Sequence, residues 1–109
     1  EGQIICRPTE ESGRPDGGCA DSEGIYWSAG VSAGVINGYD ENGGTAHRIA
    51  MPVPKPTMCC FGGPDSKTMF ITSHRQNMSA EMISAYPGSG GVWHMRRPVA
   101  GFAAWRFAD

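Results

Sequence analysis

The sequence predicts an all-β chain of about two four-stranded antiparallel units, with one short helix inserted in the second. Three observations carry this. The 109 residues include 16 glycines and 8 prolines without a collagen-like period, so turns are many and elements short. Runs rich in aromatic and β-branched residues stand between those turns. One pattern also occurs twice: Asp21-Ser22-Glu23-Gly24 runs into Ile25-Tyr26-Trp27-Ser28-Ala29, and Asp65-Ser66-Lys67-Thr68 runs into Met69-Phe70-Ile71-Thr72-Ser73, at an offset of 44 residues throughout.

The first unit opens on GRPDGGCAD, residues 13–21. Pro15 before Asp16 and Gly17 after it suit a tight turn. Asp16 is therefore either capping its own backbone or a carboxylate presented for chemistry. Each Asp-Ser piece reads as the turn of a hairpin. Gly34-Val35-Ile36 opens a third strand, and Ala46–Met51 forms a fourth. Pro52-Val53-Pro54-Lys55-Pro56 bars a helix and carries the chain, extended, into the second unit. There Gly90-Gly91-Val92-Trp93 opens the third strand and Phe102–Phe107 forms the fourth. An insertion from about Gln76 to Ser89 precedes that third strand. Ser79 before Ala80-Glu81 is an N-cap and Pro87-Gly88 a stop, so the insertion holds one helix of about two turns.

Four antiparallel strands recurring at about 44 residues is the period of a β-propeller blade. The units are residues 14–51 and residues 57–108. Blades bury their faces against neighbouring blades, and propellers close with about four to eight. Two alone leave two apolar faces in water. Either the chain is part of a longer protein, or partner chains complete the ring. A small β-sandwich is the alternative, in which the repeat is incidental.

Several classes are set aside. The net charge of −2 gives no reason to expect nucleic acid or an anionic membrane as partner. No apolar run approaches the roughly 18 residues of a membrane span. No basic-then-apolar leader is visible, and Ile4-Ile5-Cys6 comes almost at once, as in a chain with something missing upstream. Cys6, Cys19, Cys59 and Cys60 make no C-x-x-C. Buried reduced thiols are the favoured reading and fit a reducing, cytoplasmic compartment, with two disulfides as the alternative. Adjacent Cys59 and Cys60 on a strand point to opposite faces. His47, His74 and His94 match no local metal spacing. Ser28, Ser73 and Ser84 lack the context of a serine hydrolase. Arg96-Arg97 is too small a cluster for phosphate recognition. Trp27, Trp93 and Trp105 read as strand packing. Gly43-Gly44 and Gly62-Gly63 read as turns.

The segments Arg14-Pro15-Asp16-Gly17, Asp21-Ser22-Glu23-Gly24, MPVPKPTMCCFGG (51–63) and GGVW (90–93), with Gly101-Phe102 and the closing Phe107-Ala108, give the chain a family likeness. It resembles the gluconolactonase, regucalcin (senescence marker protein) and luciferin-regenerating-enzyme group, from about Gly2 to Ala108, and corresponds to the C-terminal third of such a protein. The resemblance implies a six-bladed propeller with a divalent metal at the mouth of its channel, hydrolysing small lactones, typically of sugars. It implies that Asp16, in the Pro-Asp-Gly motif, is both metal ligand and general base. The family's other ligands, a Glu and an Asn, lie upstream of this sequence. A divalent ion lowers the pKa of bound water and polarises the carbonyl, and a carboxylate beside it takes the proton. Oxygen ligands suit Ca²⁺, Mg²⁺ or Mn²⁺, and Zn²⁺ also accepts carboxylates. Two departures stand out: Gly18 replaces a large apolar residue, and Val31-Ser32-Ala33-Gly34 replaces a Gly-Gly turn. Both predict looser packing behind Asp16.

Three functions follow as expectations. The first is a fragment of a metal-dependent lactonase, catalytically weak when alone. The second is a non-catalytic module that oligomerises through its blade faces; three such chains would restore six blades and bring three copies of Asp16 to one axis. The third is a decayed remnant without activity.

Overall fold

Alternating apolar residues and Asp- or Gly-bearing turns fold the chain into two antiparallel sheets. The computed structural model describes residues 2–103 and 105–108. Strands β1 (Pro15–Ala20), β2 (Tyr26–Gly30), β3 (Val35–Tyr39) and β4 (Thr45–Ala50) form a four-stranded sheet in sequence order. Strands β5 (Pro56–Gly62), β6 (Thr68–Ser73) and β7 (Val92–Arg96) form a three-stranded sheet, with helix α1 (Ala80–Ala85) between β6 and β7. The Ser79 hydroxyl accepts from the Met82 N–H at 3.1 Å, which caps α1 as the sequence predicts.

The sheets pack face to face through β1, β2 and β5. Alternation decides which side chains enter the interface. Trp27 and Ala29 from β2, Ile36 from β3, Cys59 from β5, and Met69 and Ile71 from β6 form one buried cluster. Phe61, Trp93 and Met95 pack around it from the second sheet. Exposure matches at the 44-residue offset, with Trp27 and Ile71 both buried and Tyr26 and Phe70 both exposed, but the hairpins themselves, closing at Ala20–Tyr26 and Gly62–Thr68, are 42 residues apart. Burying a side chain of this kind contributes roughly 1.5–3 kcal/mol, so this shared cluster is the main source of cohesion.

The two far faces differ. That of the first sheet is covered by the chain's own start. Asn37 Nδ2 donates to the Ser12 carbonyl at 2.8 Å, and Arg48 donates to the carbonyls of Ser12 and Glu11. All five residues of β3 are consequently buried. On the second sheet the outward residues Phe70 and Val92 stay exposed. One of the two apolar faces expected in water is thus largely closed.

The second unit lacks the fourth strand expected at Phe102–Phe107: among the described residues no strand follows β7, and Ala104 lies outside them. The reason is a competing set of backbone bonds. Arg97 N–H donates to the Lys67 carbonyl, Gly101 N–H to the Ser66 carbonyl, and Ser22 N–H to the Ala100 carbonyl. Gly101 also bridges to Asp21. The chain therefore leaves the edge of β7 and ties the two hairpin turns together. Trp105, expected on a strand, is exposed.

Asp21 anchors that end. It is 2 % exposed, accepts from the Glu23 and Ile25 N–H groups with Oδ1, and accepts from Trp27 Nε1 at 3.0 Å with Oδ2. Asp21→Ala orphans all three donors, one of them within the core. The expected loss is about 2–4 kcal/mol, read as a lower urea midpoint at unchanged slope.

Candidate functional site

Asp16 lies within β1, one residue past its first pairing. Pro15 faces Gly30 and Gly18 faces Ser28, so β1 carries one residue more than β2 over this stretch. The extra residue makes a β-bulge at Asp16-Gly17. The tight turn expected here is a bulge instead: the strand has already begun at Pro15, and the bulge re-aims the Asp16 side chain. Proline suits the first residue of a strand, where no ladder donor is lost. The second sheet does the same. Pro56 faces Ser73 and Met58 faces Thr72, which places a bulge at Thr57. Asp16 and Thr57 hold corresponding places, each directly after a proline that opens its unit.

The two bulges lie side by side. A Cβ built on Gly17 would stand 2.9 Å from the Thr57 carbonyl oxygen and collide with Met58 Sδ. Glycine is thus what lets β1 meet β5 backbone to backbone. Thr57 Oγ1 and Thr72 Oγ1 share a hydrogen bond of 2.8 Å on this side. Sequence reasoning missed this hydroxyl pair; its signal was the Pro-x opening shared with Pro15-Asp16. The looser packing expected behind Asp16 does not appear at Gly18. The Tyr26 phenol occupies the place a side chain there would take, and a Cβ would also stand 2.6 Å from the Trp27 carbonyl oxygen.

Asp16 also differs from the turn aspartates. Asp21, Asp40 and Asp65 each accept from the N–H two residues on, at 2.9–3.0 Å. Asp16 makes no such bond among the described residues, and it is exposed. Arg96 grips Asp65 and holds its carboxyl below the usual carboxylate range. That pair sits at the opposite end of the strands.

Hollows lie at both ends of the strands. At the end where β1 and β5 begin, a cleft of about 500 Å³ is lined by Glu10, Arg14, Ser32, Lys55, His74 and Asn77. Glu10 and Arg14 pair across 3.0 Å. At the other end a cavity of about 230 Å³ is lined by Asp21, Glu23, Trp27, His47 and Arg97. There the Trp27 indole stacks on His47 at 5.0 Å, and the Arg97 guanidinium lies 4.8 Å from its ring centroid. His47 and His94 fall on different strands, β4 and β7, and His74 follows β6. Among the described residues no three His, Cys, Asp or Glu side chains converge. A divalent cation of the calcium or magnesium kind takes about six or more oxygen ligands. The described residues therefore do not fit a complete metal site; Asp16 offers one carboxylate.

Comparisons with known proteins bear on the same residues. Residues 2–75 match the family described as the SMP-30/Gluconolactonase/LRE-like region. The 6-deoxy-6-sulfogluconolactonase of Pseudomonas putida is 44 % identical over 96 residues, which is 88 % of this chain and 33 % of that protein. Regucalcin of Xenopus laevis is 37 % identical over 101 residues, 91 % of this chain and 34 % of its own length. Among solved structures, the calcium-binding protein regucalcin of Agrobacterium tumefaciens superposes with a TM-score of 0.78 at 31 % identity, over 83 % of this chain and 30 % of that one. A luciferin-regenerating enzyme superposes with a TM-score of 0.71 at 28 % identity, over 86 % of this chain and 32 % of that one. The chain thus spans about a third of the length of the curated relatives it matches.

The contact at Gly17 yields a test. Gly17→Ala forces β1 off β5, an overpacking cost of about 1–3 kcal/mol. The expected readout is a lowered urea midpoint, with Gly2→Ala, where nothing lies within 4 Å, as the unaffected control.

Proposed function

The chain belongs to the SMP-30/gluconolactonase/LRE-like family, and from that premise we propose that it supplies one part of a lactone-hydrolysing site, with Asp16 as its reacting group. The observation that carries this reading is the state of Asp16. It is exposed on a bulge, beside the meeting of β1 and β5, and is not consumed in capping its own backbone as Asp21, Asp40 and Asp65 are.

Hydrolysis of a lactone adds water to the ring carbonyl and breaks the ring C–O bond to give a hydroxy acid. A carboxylate in reach of that water accepts its proton as the O–C bond forms, a contribution of roughly 10²- to 10⁴-fold. Asp16 takes this role, and its second part is to give one oxygen ligand to a divalent ion. Calcium is the favoured ion, since a regucalcin relative is a calcium-binding protein. The other ligands would come from residues outside this chain, because among the described residues no two further metal-ligating side chains converge with Asp16. A small sugar lactone is the proposed substrate, after the gluconolactonase relative. The two sheets are read as two blades of a six-bladed propeller, residues 14–51 and residues 57–108. The shortfall to a third of the relatives' length supports that division.

Grafting tests the assignment. The 109-residue chain alone is expected to hydrolyse gluconolactone barely above buffer. Exchanged for the matching third of the Pseudomonas putida relative, it is expected to give a chimera that binds a divalent ion and hydrolyses lactone. Asp16→Asn in that chimera lowers turnover by roughly 10²- to 10⁴-fold and weakens retention of the metal. An active chimera whose rate and metal retention both survive Asp16→Asn sinks the assignment.

A further inference from the structure

The core between the sheets contains an unassigned pair of nucleophiles. Cys19 on β1 and Cys59 on β5 bring their sulfurs to 3.7 Å, and both are free thiols. Cys59 is fully buried; it accepts from Cys19 and donates to the Trp27 carbonyl at 3.5 Å. Cys19 is half-buried, so a small solute reaches it first. The backbones are already close, for Gly17 and Thr57, two residues back on each strand, stand in contact. We propose that Cys19 and Cys59 are a peroxide-sensitive modification site that closes to a reversible disulfide stapling β1 to β5. This inference is independent of the role proposed for Asp16.

The geometry asks for little movement. A disulfide needs sulfurs about 2.0 Å apart, so the gap of 3.7 Å closes by roughly 1.7 Å. Side-chain rotation supplies that where strands already touch. The chemistry divides between the two residues. With both thiols protonated, Cys19 donates to Cys59 and Cys59 donates to the Trp27 carbonyl; once Cys19 ionises, the Cys59 S–H turns from that carbonyl to the Cys19 thiolate, and this bond lowers the Cys19 pKa below the ordinary thiol value. Proximity to Cys19 and burial raise that of Cys59. Cys19 is then the attacking sulfur and Cys59 the resolving one. The Cys19 thiolate attacks hydrogen peroxide; an S–O bond forms, the O–O bond breaks, and hydroxide leaves. The Cys59 sulfur attacks the resulting sulfenic acid; the S–S bond forms, the S–OH bond breaks, and the departing hydroxide takes the Cys59 proton. Two thiols are oxidised and one peroxide becomes two waters.

Cys6 and Cys60 make the test discriminating. Cys60 adjoins Cys59 but is exposed on the opposite face, and Cys6 lies in the covering segment beyond the first sheet. The full chain and its Cys60→Ser variant are treated with hydrogen peroxide under native conditions and mapped without reduction. The expected product in both is a Cys19–Cys59 cross-linked peptide pair, reversed by dithiothreitol, with a raised thermal midpoint while oxidised. Cys19→Ser abolishes the cross-link. In urea the pairing becomes statistical among the four thiols. Native oxidation of Cys19 to sulfinic or sulfonic acid without a cross-link overturns the proposal. So does native pairing that favours Cys60 or Cys6, or that matches the pairing in urea.

Discussion

The structure depends on how closely β1 approaches β5. Two sheets make a common core only if their near faces interdigitate, and side-chain bulk at the contact sets that distance. Gly17 removes the bulk where the strands first meet, against the Thr57 carbonyl and Met58. Cys19 and Cys59 then meet as small side chains further along. With β1 and β5 this close, Trp27 and Ile36 from one sheet reach Met69 and Ile71 from the other in a single buried cluster. A chain of this size has a thin margin over its conformational entropy, and two separate half-cores would not hold it. Both bulges fall at the same contact, so the geometry that joins the sheets also sets the direction of Asp16.

The two ends of the paired sheets are built on different terms. At one end polar groups close the structure. Asp21 joins Trp27 to its own turn, while Ala100 and Gly101 bond to Ser22 and Ser66 and bind the two hairpins together. Buried as Asp21 is, each such bond left unmade is costly. At the other end carboxylate and hydroxyls are left in solvent: Asp16 is exposed, and Thr57 and Thr72 bond side chain to side chain. The closed end is held by buried hydrogen bonds, and the open end presents Asp16. This division places the side chain proposed to react on strands that are held elsewhere, rather than on a loop.

Much of the fold was legible because it is written in local terms. The Asp-Ser turns work through Asp Oδ1 accepting from the N–H two residues on, a bond encoded by the residues themselves, and both copies make it. The Ser79 cap and the alternation through β6 are local in the same way. What was not legible is non-local. The bulges come from the match between two strands, and a Pro-Asp-Gly looks the same at a turn and at a bulge. The chain after β7 follows carbonyls of distant turns, which no pattern in Phe102–Phe107 announces. Gly18 read as a packing defect until Tyr26 was seen in its place. As for the proposed site, its motif is what singles out Asp16. Thr57 was hidden because the strand starts, Pro15 and Pro56, are 41 residues apart while the Asp-Ser pieces are 44 apart.

The burial patterns of the two sheets explain why the repeat is only partial. From Met69 onward in β6, and throughout β7, buried or half-buried positions alternate with exposed ones, since one face meets the core and the other meets water. In β3 every position is buried, because the inward Ile36 meets the second sheet while the outward Asn37 is bonded to the Ser12 carbonyl. The near faces must satisfy one shared core, so Trp27 and Ile71 keep their offset. The far faces answer to different surroundings, the covering segment in one case and solvent in the other, and their residues diverge. Similarity between the units therefore survives where they press on each other. It is lost where each faces something else.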